Sequence, residues 1–144
     1  MDKWQYNDGG RKAAGFQGDA AGDCVCRSIA IATGEPYQMV YDALNGIKAG
    51  LRQSKNVRGS SSRTGVHKRV YERFLFERGW IWTPTMAVGS GCKVHLKAGE
   101  LPAATIICRL SRHLVAVKDG VIQDLYDCSR EGTRCVYGYY QKQH

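Results

Sequence analysis

Negative charge is scarce in this chain. Thirteen Asp and Glu residues face 21 Lys and Arg, a formal net charge of +8. Such an excess favours a polyanionic partner or an acidic substrate, and it bears on association rather than on fold. Long apolar runs are missing as well. Nothing approaches the roughly 20 residues that span a bilayer, so no membrane partner is expected. Met1-Asp2-Lys3-Trp4-Gln5-Tyr6 lacks the apolar centre of a secretory signal. The expected location is therefore the cytoplasm, with all six cysteines as reduced thiols. No Cys-x-x-Cys pair occurs among Cys24, Cys26, Cys92, Cys108, Cys128 and Cys135. Cys92-Lys93-Val94-His95 could supply two metal ligands but has no second pair to match it, so neither metal nor other cofactor is expected. There is no internal repeat and no sign of a second domain, which makes residues 1–144 one unit.

The stretch that is most informative is Gly22-Asp23-Cys24-Val25-Cys26-Arg27. A glycine-rich lead runs into an acidic residue and a cysteine, and Ser28-Ile29-Ala30-Ile31-Ala32 follows before Thr33-Gly34. This pattern is a loop, a helix start, a buried helix and a glycine stop. A thiol in the first turn of such a helix lies where the free N–H groups and the dipole favour its thiolate.

Along the chain, residues 1–22 read as an irregular, glycine-rich arm pinned by Trp4, Tyr6 and Phe16. A second helix starts at Glu35-Pro36, carries Tyr37, Val40, Tyr41 and Leu44 on one stripe, and is expected to end at Asn45-Gly46. Residues 47–64 read as a basic, polar, mobile loop. From Asn45 to Leu75 Lys48, Arg52, Lys55, Arg58, Arg63, Lys68, Arg69 and Arg73 are opposed by Glu72 alone. Thr64 is the expected cap of a third helix with Val66, Val70 and Phe74 on its apolar stripe, stopped by Gly79. Strands follow at Trp80–Thr83, Thr105–Leu110, Arg112–Lys118, Val121–Tyr126 and about Arg134–Tyr140. Helices first and antiparallel strands afterwards make an α+β fold.

A nucleophilic thiol needs a base, and the base needs an orienting group. His144 is terminal, His95 falls in a loop and His67 on a basic helix, whereas His113 opens a strand. Asp119-Gly120 is a strong two-residue hairpin signal. It pairs Lys118 with Val121 and, counting outward, His113 with Tyr126. Side chains alternate faces along a strand, and paired residues share one. His113, Val115, Val117, Ile122, Asp124 and Tyr126 then share a face, and Asp124 is a diagonal neighbour of His113. Asp127 faces away, and a slip of one residue would exchange the two roles.

An Asp-Cys pair opening a buried helix, a late strand beginning with His, and an Asp on the next strand together resemble the papain-like cysteine peptidases. The compact bacterial and phage forms are the most similar. Gly22–Val25, Ile29–Gly34, Gly89–Cys92 and Gly132–Gly138 also resemble stretches shared by a group of phage and bacterial proteins with no assigned activity. The resemblance implies a papain-like fold, with N-terminal helices packed on a C-terminal antiparallel sheet. It implies a cysteine peptidase, isopeptidase or amidase acting on a peptide or amide, in the host cytoplasm if phage-encoded. Cys24 would be the nucleophile, His113 the base and later acid, and Asp124 the orienting group. Gln17 would donate to the oxyanion beside the Cys24 N–H, with Asn7 as the alternative if the arm folds back. Val25-Cys26 stands where papain-like enzymes carry an aromatic residue. Cys26 points to another helix face and reads as packed. Arg27, one turn from Cys24, either lowers the thiol pKa or pairs with an acid. Two other readings remain: a nucleic-acid-binding module using the basic stretch with Tyr71 and Trp80 or Trp82 for stacking, and an inactive papain-like fold serving protein interaction.

Overall fold

The α1 helix, Cys24–Thr33, forms where the apolar run predicts it and ends at Gly34, whose left-handed φ of 76° lets its N–H reach Ala30 O. Every residue from Val25 to Ile31 is buried, which makes α1 the central helix. In the computed structural model, residues 4–16, 23–50, 66–87 and 89–143 are described. The α2 helix, Tyr37–Gly50, runs past Asn45-Gly46, which corrects the expected stop and turns residues 47–50 from loop to helix. A single glycine inside a helix costs about 1 kcal/mol. Ile47 extends the Val40 and Leu44 stripe onto the core, and that packing outweighs the local signal. The rest of the expected basic loop, with its cap Thr64, lies outside the described residues.

The α3 helix, Lys68–Glu77, is capped instead by His67, whose ring accepts from the Arg69 N–H at 3.2 Å. Its Val70, Tyr71, Phe74 and Leu75 are buried against α1 and α2, joining Ile29, Val40, Leu44 and Tyr140 in one core. A short 3-10 turn, Ala98–Glu100, lies between the strands Trp80–Pro84 and Thr105–Leu110.

Six strands form the sheet: β1 Trp4–Tyr6, β2 Trp80–Pro84, β3 Thr105–Leu110, β4 His113–Lys118, β5 Val121–Asp124 and β6 Gly138–Lys142, in the order β1-β5-β4-β3-β6-β2. The expected antiparallel sheet is thus corrected to a mixed one, because β1 pairs parallel with β5, Trp4 opposite Ile122 and Tyr6 opposite Asp124. The same pairing corrects the irregular arm. Residues 4–6 are a strand, and Gly9 (φ 69°) then passes so close to α1 that an added Cβ would lie 3.0 Å from Arg27 O. No periodicity in three residues could announce a parallel partner more than a hundred positions away.

The last strand starts at Gly138 rather than Arg134. Cys135 bridges instead to His95 and is joined by a disulfide to Cys92, which corrects the expectation of six reduced thiols. On the sheet face away from the helices, Leu96, Val136 and Cys128 cover Val115, Val117 and Ile122 in a second core. Among the described residues no helix is long and apolar enough to cross a membrane.

Candidate active site

Hairpin chemistry places the first two groups. Asp119 (φ 50°) and Gly120 (φ 83°) both take left-handed conformations, the signature of a type I′ turn. The register is the expected one: Lys118 opposite Val121, Val117 opposite Ile122 and Ala116 opposite Gln123. The ladder stops before Tyr126, whose ring centroid nonetheless lies 6.0 Å from that of His113. Asp124 closes β5 with its carboxylate 2.7 Å from His113 Nε2. Asp127, the reserve, instead accepts the Ser129 N–H in a turn at 3.0 Å.

The third group arrives from the other side of the sheet. The α1 helix packs across β4, and Cys24, its half-buried first residue, lines the same cleft as His113. With Nε2 held by Asp124, Nδ1 is the ring nitrogen left to the thiol. Burial pushes the Cys24 thiol up, but hydrogen bonding to His113, the charge of that ring, the Leu114 backbone and Arg27 together bring it below its ordinary value. The imidazole moves the opposite way. Burial opposes its charge, yet Asp124, Cys128 and Cys24 push it up to about 12. Asp124 would be raised by burial; His113 and Arg27 hold it at about 2. The three groups favour a thiolate, an imidazolium and a carboxylate together.

Arg27 resolves its two alternatives by doing both. Its guanidinium is buried between two carboxylates, Asp23 at 2.7 Å and Asp124 at 2.7 Å, and its charge also lowers the thiol pKa. Asp23 accepts in turn from the Tyr37 hydroxyl at 2.9 Å and pairs with Arg11 at 3.2 Å. A chain of alternating charge therefore runs from Arg11 through Asp23, Arg27 and Asp124 to His113. Sequence reasoning missed Asp23 and Tyr37 as its members; the i,i+4 spacing of Asp23 and Arg27 was the available signal.

The oxyanion donors stand differently. The Cys24 N–H opens α1, one of the helix N–H groups with no intrahelical partner. Asn7 does fold back, but its amide donates to Gln123 Oε1 at 3.1 Å and it does not line the cleft. Gln17 lies outside the described residues. Cys26 is fully buried, its thiol raised to about 12 mainly by burial, as a packed residue would be. Cys128, which carried no sequence signal, sits against the Asp124–His113 contact. His113, Asp124 and Cys128 offer ligand atoms within 4.8 Å of one another and could hold a metal. Against that, both Asp124 oxygens are already engaged, by His113 on one side and by Arg27 and the Leu125 N–H on the other.

The cleft over these groups measures about 530 Å³ and has apolar walls from Val25, Val66 and Leu110 with Tyr71 and Tyr137. That volume is in the range of small-ligand sites. Compared with protein-family models, with curated proteins and with solved structures, the chain finds no match.

Proposed function

We propose that this chain is a thiol-dependent hydrolase of papain-like type, cleaving a peptide or amide by acyl transfer. The observation that carries the proposal is the meeting of Cys24 and His113 at one cleft, with buried Asp124 behind the imidazole, the thiol pKa lowered and the imidazole pKa raised. A resting thiolate–imidazolium pair is the attacking state of a cysteine nucleophile. The thiolate adds to the substrate carbonyl, and the carbonyl electrons move to oxygen. The Cys24 N–H, at the positive end of α1, faces the developing charge. As the C–N bond breaks, His113 gives its proton to the leaving amine and a thioester remains. His113 then takes a proton from water, whose oxygen attacks the thioester and releases the acid and the thiolate. Asp124 keeps the ring oriented and its charged form stable throughout. Cys128 is 2% exposed and its thiol is raised by burial, so it is no rival nucleophile.

A nucleic-acid-binding role finds less support, since Tyr71 and Trp80 are buried and Trp82 packs on Tyr140 with ring centroids 4.7 Å apart. None of the three is presented as a stacking platform.

Iodoacetamide at neutral pH, with each thiol followed by mass spectrometry, tests the reading. Cys24 should be alkylated well ahead of Cys26, Cys108 and Cys128. Equal, slow labelling of all four would remove the proposal.

A further inference from the structure

Positive side chains gather on the cleft that holds the thiol. Lys68 from the start of α3, Arg109 from the end of β3 and Arg112 from the β3–β4 turn all line it, and among the described residues no Asp or Glu does. Lys68 and Arg112 are exposed, and Arg109 is half-buried with its guanidinium 5.7 Å from the Trp82 ring centroid. Arg112 also carries a second signal. It takes φ 55° in a two-residue turn immediately before His113, a conformation that disfavours a residue with a Cβ unless it is Asn or Asp. An arginine held there at a conformational cost is consistent with a use for its charge.

We propose that the cleft selects acidic peptides, with a carboxylate side chain beside the bond presented to Cys24 and its aliphatic stem against Val66 and Tyr71. This rests on the thiol-hydrolase reading above. A cleft lined by one sign of charge raises the local concentration of the opposite sign, and salt weakens the effect. The substrate charge is therefore read by three cations from separate elements, all lining the cleft that holds the nucleophile.

The test compares two alkylating agents that differ in charge, iodoacetate and iodoacetamide, on Cys24 of the intact protein. The iodoacetate-to-iodoacetamide rate ratio should exceed that of N-acetylcysteine about tenfold and shrink in 0.5 M salt, as expected of attraction into a charged cleft. The imidazolium of His113 contributes to that ratio, so variants isolate the cleft cations. Lys68→Gln with Arg112→Asn, the latter tolerant of the left-handed backbone, should lower the ratio at least threefold. N-acetylated, C-amidated pentapeptides identical except for Glu, Gln or Lys at two positions should slow labelling in that order, Glu most. Rapid iodoacetamide labelling with a ratio the double variant leaves unchanged, or protection equal for all three peptides, overturns the acidic preference and leaves the hydrolase reading standing. Labelling of Cys24 no faster than of the buried thiols overturns the hydrolase reading, and this inference with it.

Discussion

Replacing Asp124 with Asn exchanges one carboxylate oxygen for an NH2 group and leaves the shape unchanged. Asp124 Oδ1 accepts from Arg27 and from the Leu125 N–H, each at 2.7 Å, and Oδ2 faces His113 Nε2 at 2.7 Å. The amide oxygen of Asn must stay with the two donors on the first side. Its NH2 then points at Nε2, which has to become an acceptor, so the ring proton moves to Nδ1 and faces the thiol. A base in that tautomer cannot take a proton from Cys24. Turnover should fall by about three to four orders of magnitude, the cost of a wrong-tautomer histidine in a triad. The thiol should return to the ordinary range near 8.5. Between pH 9 and pH 6 its thiolate fraction, and with it the iodoacetamide rate, then drops roughly 200-fold along a single ionisation curve centred there. The wild-type protein, its thiol pKa lowered, should lose less over that span. Stability should fall by about 3 kcal/mol, the low end for breaking a buried ion pair, because Arg27 keeps Asp23. Alkylation rate against pH is the assay, with circular dichroism to verify folding. Superimposable profiles for Asp124→Asn and wild type would refute the coupling of Asp124 to the thiol through His113.

The pH dependence of stability follows from the same pair. His113, raised to about 12, contributes fully below pH 6.5 and loses that contribution as pH rises; Cys24, lowered, contributes fully above pH 9 and loses it as pH falls. Between pH 6.5 and 9 the two slopes oppose each other, so urea midpoints should fall more gently there than above pH 9. In Cys24→Ala the compensation is gone and the full decline should begin near pH 6.5; a profile unchanged from wild type would contradict the ion pair. Arg27→Met leaves Asp23 and Asp124 buried beside an apolar side chain and should cost about 3–5 kcal/mol in urea unfolding; a loss under about 1 kcal/mol would mean that Arg27 is not what compensates them. The Cys92–Cys135 bond closes a separation of 43 residues, which corresponds to about 4 kcal/mol of chain-entropy stabilisation. Dithiothreitol should therefore lower the melting temperature of wild type and leave a Cys92→Ser, Cys135→Ser protein unmoved.

Local chemistry determined two pieces of this site from the sequence alone. The apolar run after Cys24 can only be a buried helix that starts at the thiol. Asp119-Gly120 admits a tight hairpin, and period-two alternation then puts His113 and Asp124 on one face. Both conclusions rest on residues within a dozen positions of each other, where turn type and side-chain parity are encoded directly. Tertiary structure decided the rest. It laid α1 across β4, so that Cys24 meets a histidine some ninety positions later. It brought the Asp124 carboxylate onto His113 Nε2 and left Asp127 in a turn. It placed Arg27 between two carboxylates, extended α2 through Asn45-Gly46, and seated Trp4–Tyr6 parallel to β5. It also joined Cys92 to Cys135 and drew Lys68, Arg109 and Arg112 around one cleft. Each of these depends on which distant surfaces come together, and such a choice is made by the burial of whole faces. A short window of sequence carries no trace of the partner its face will meet.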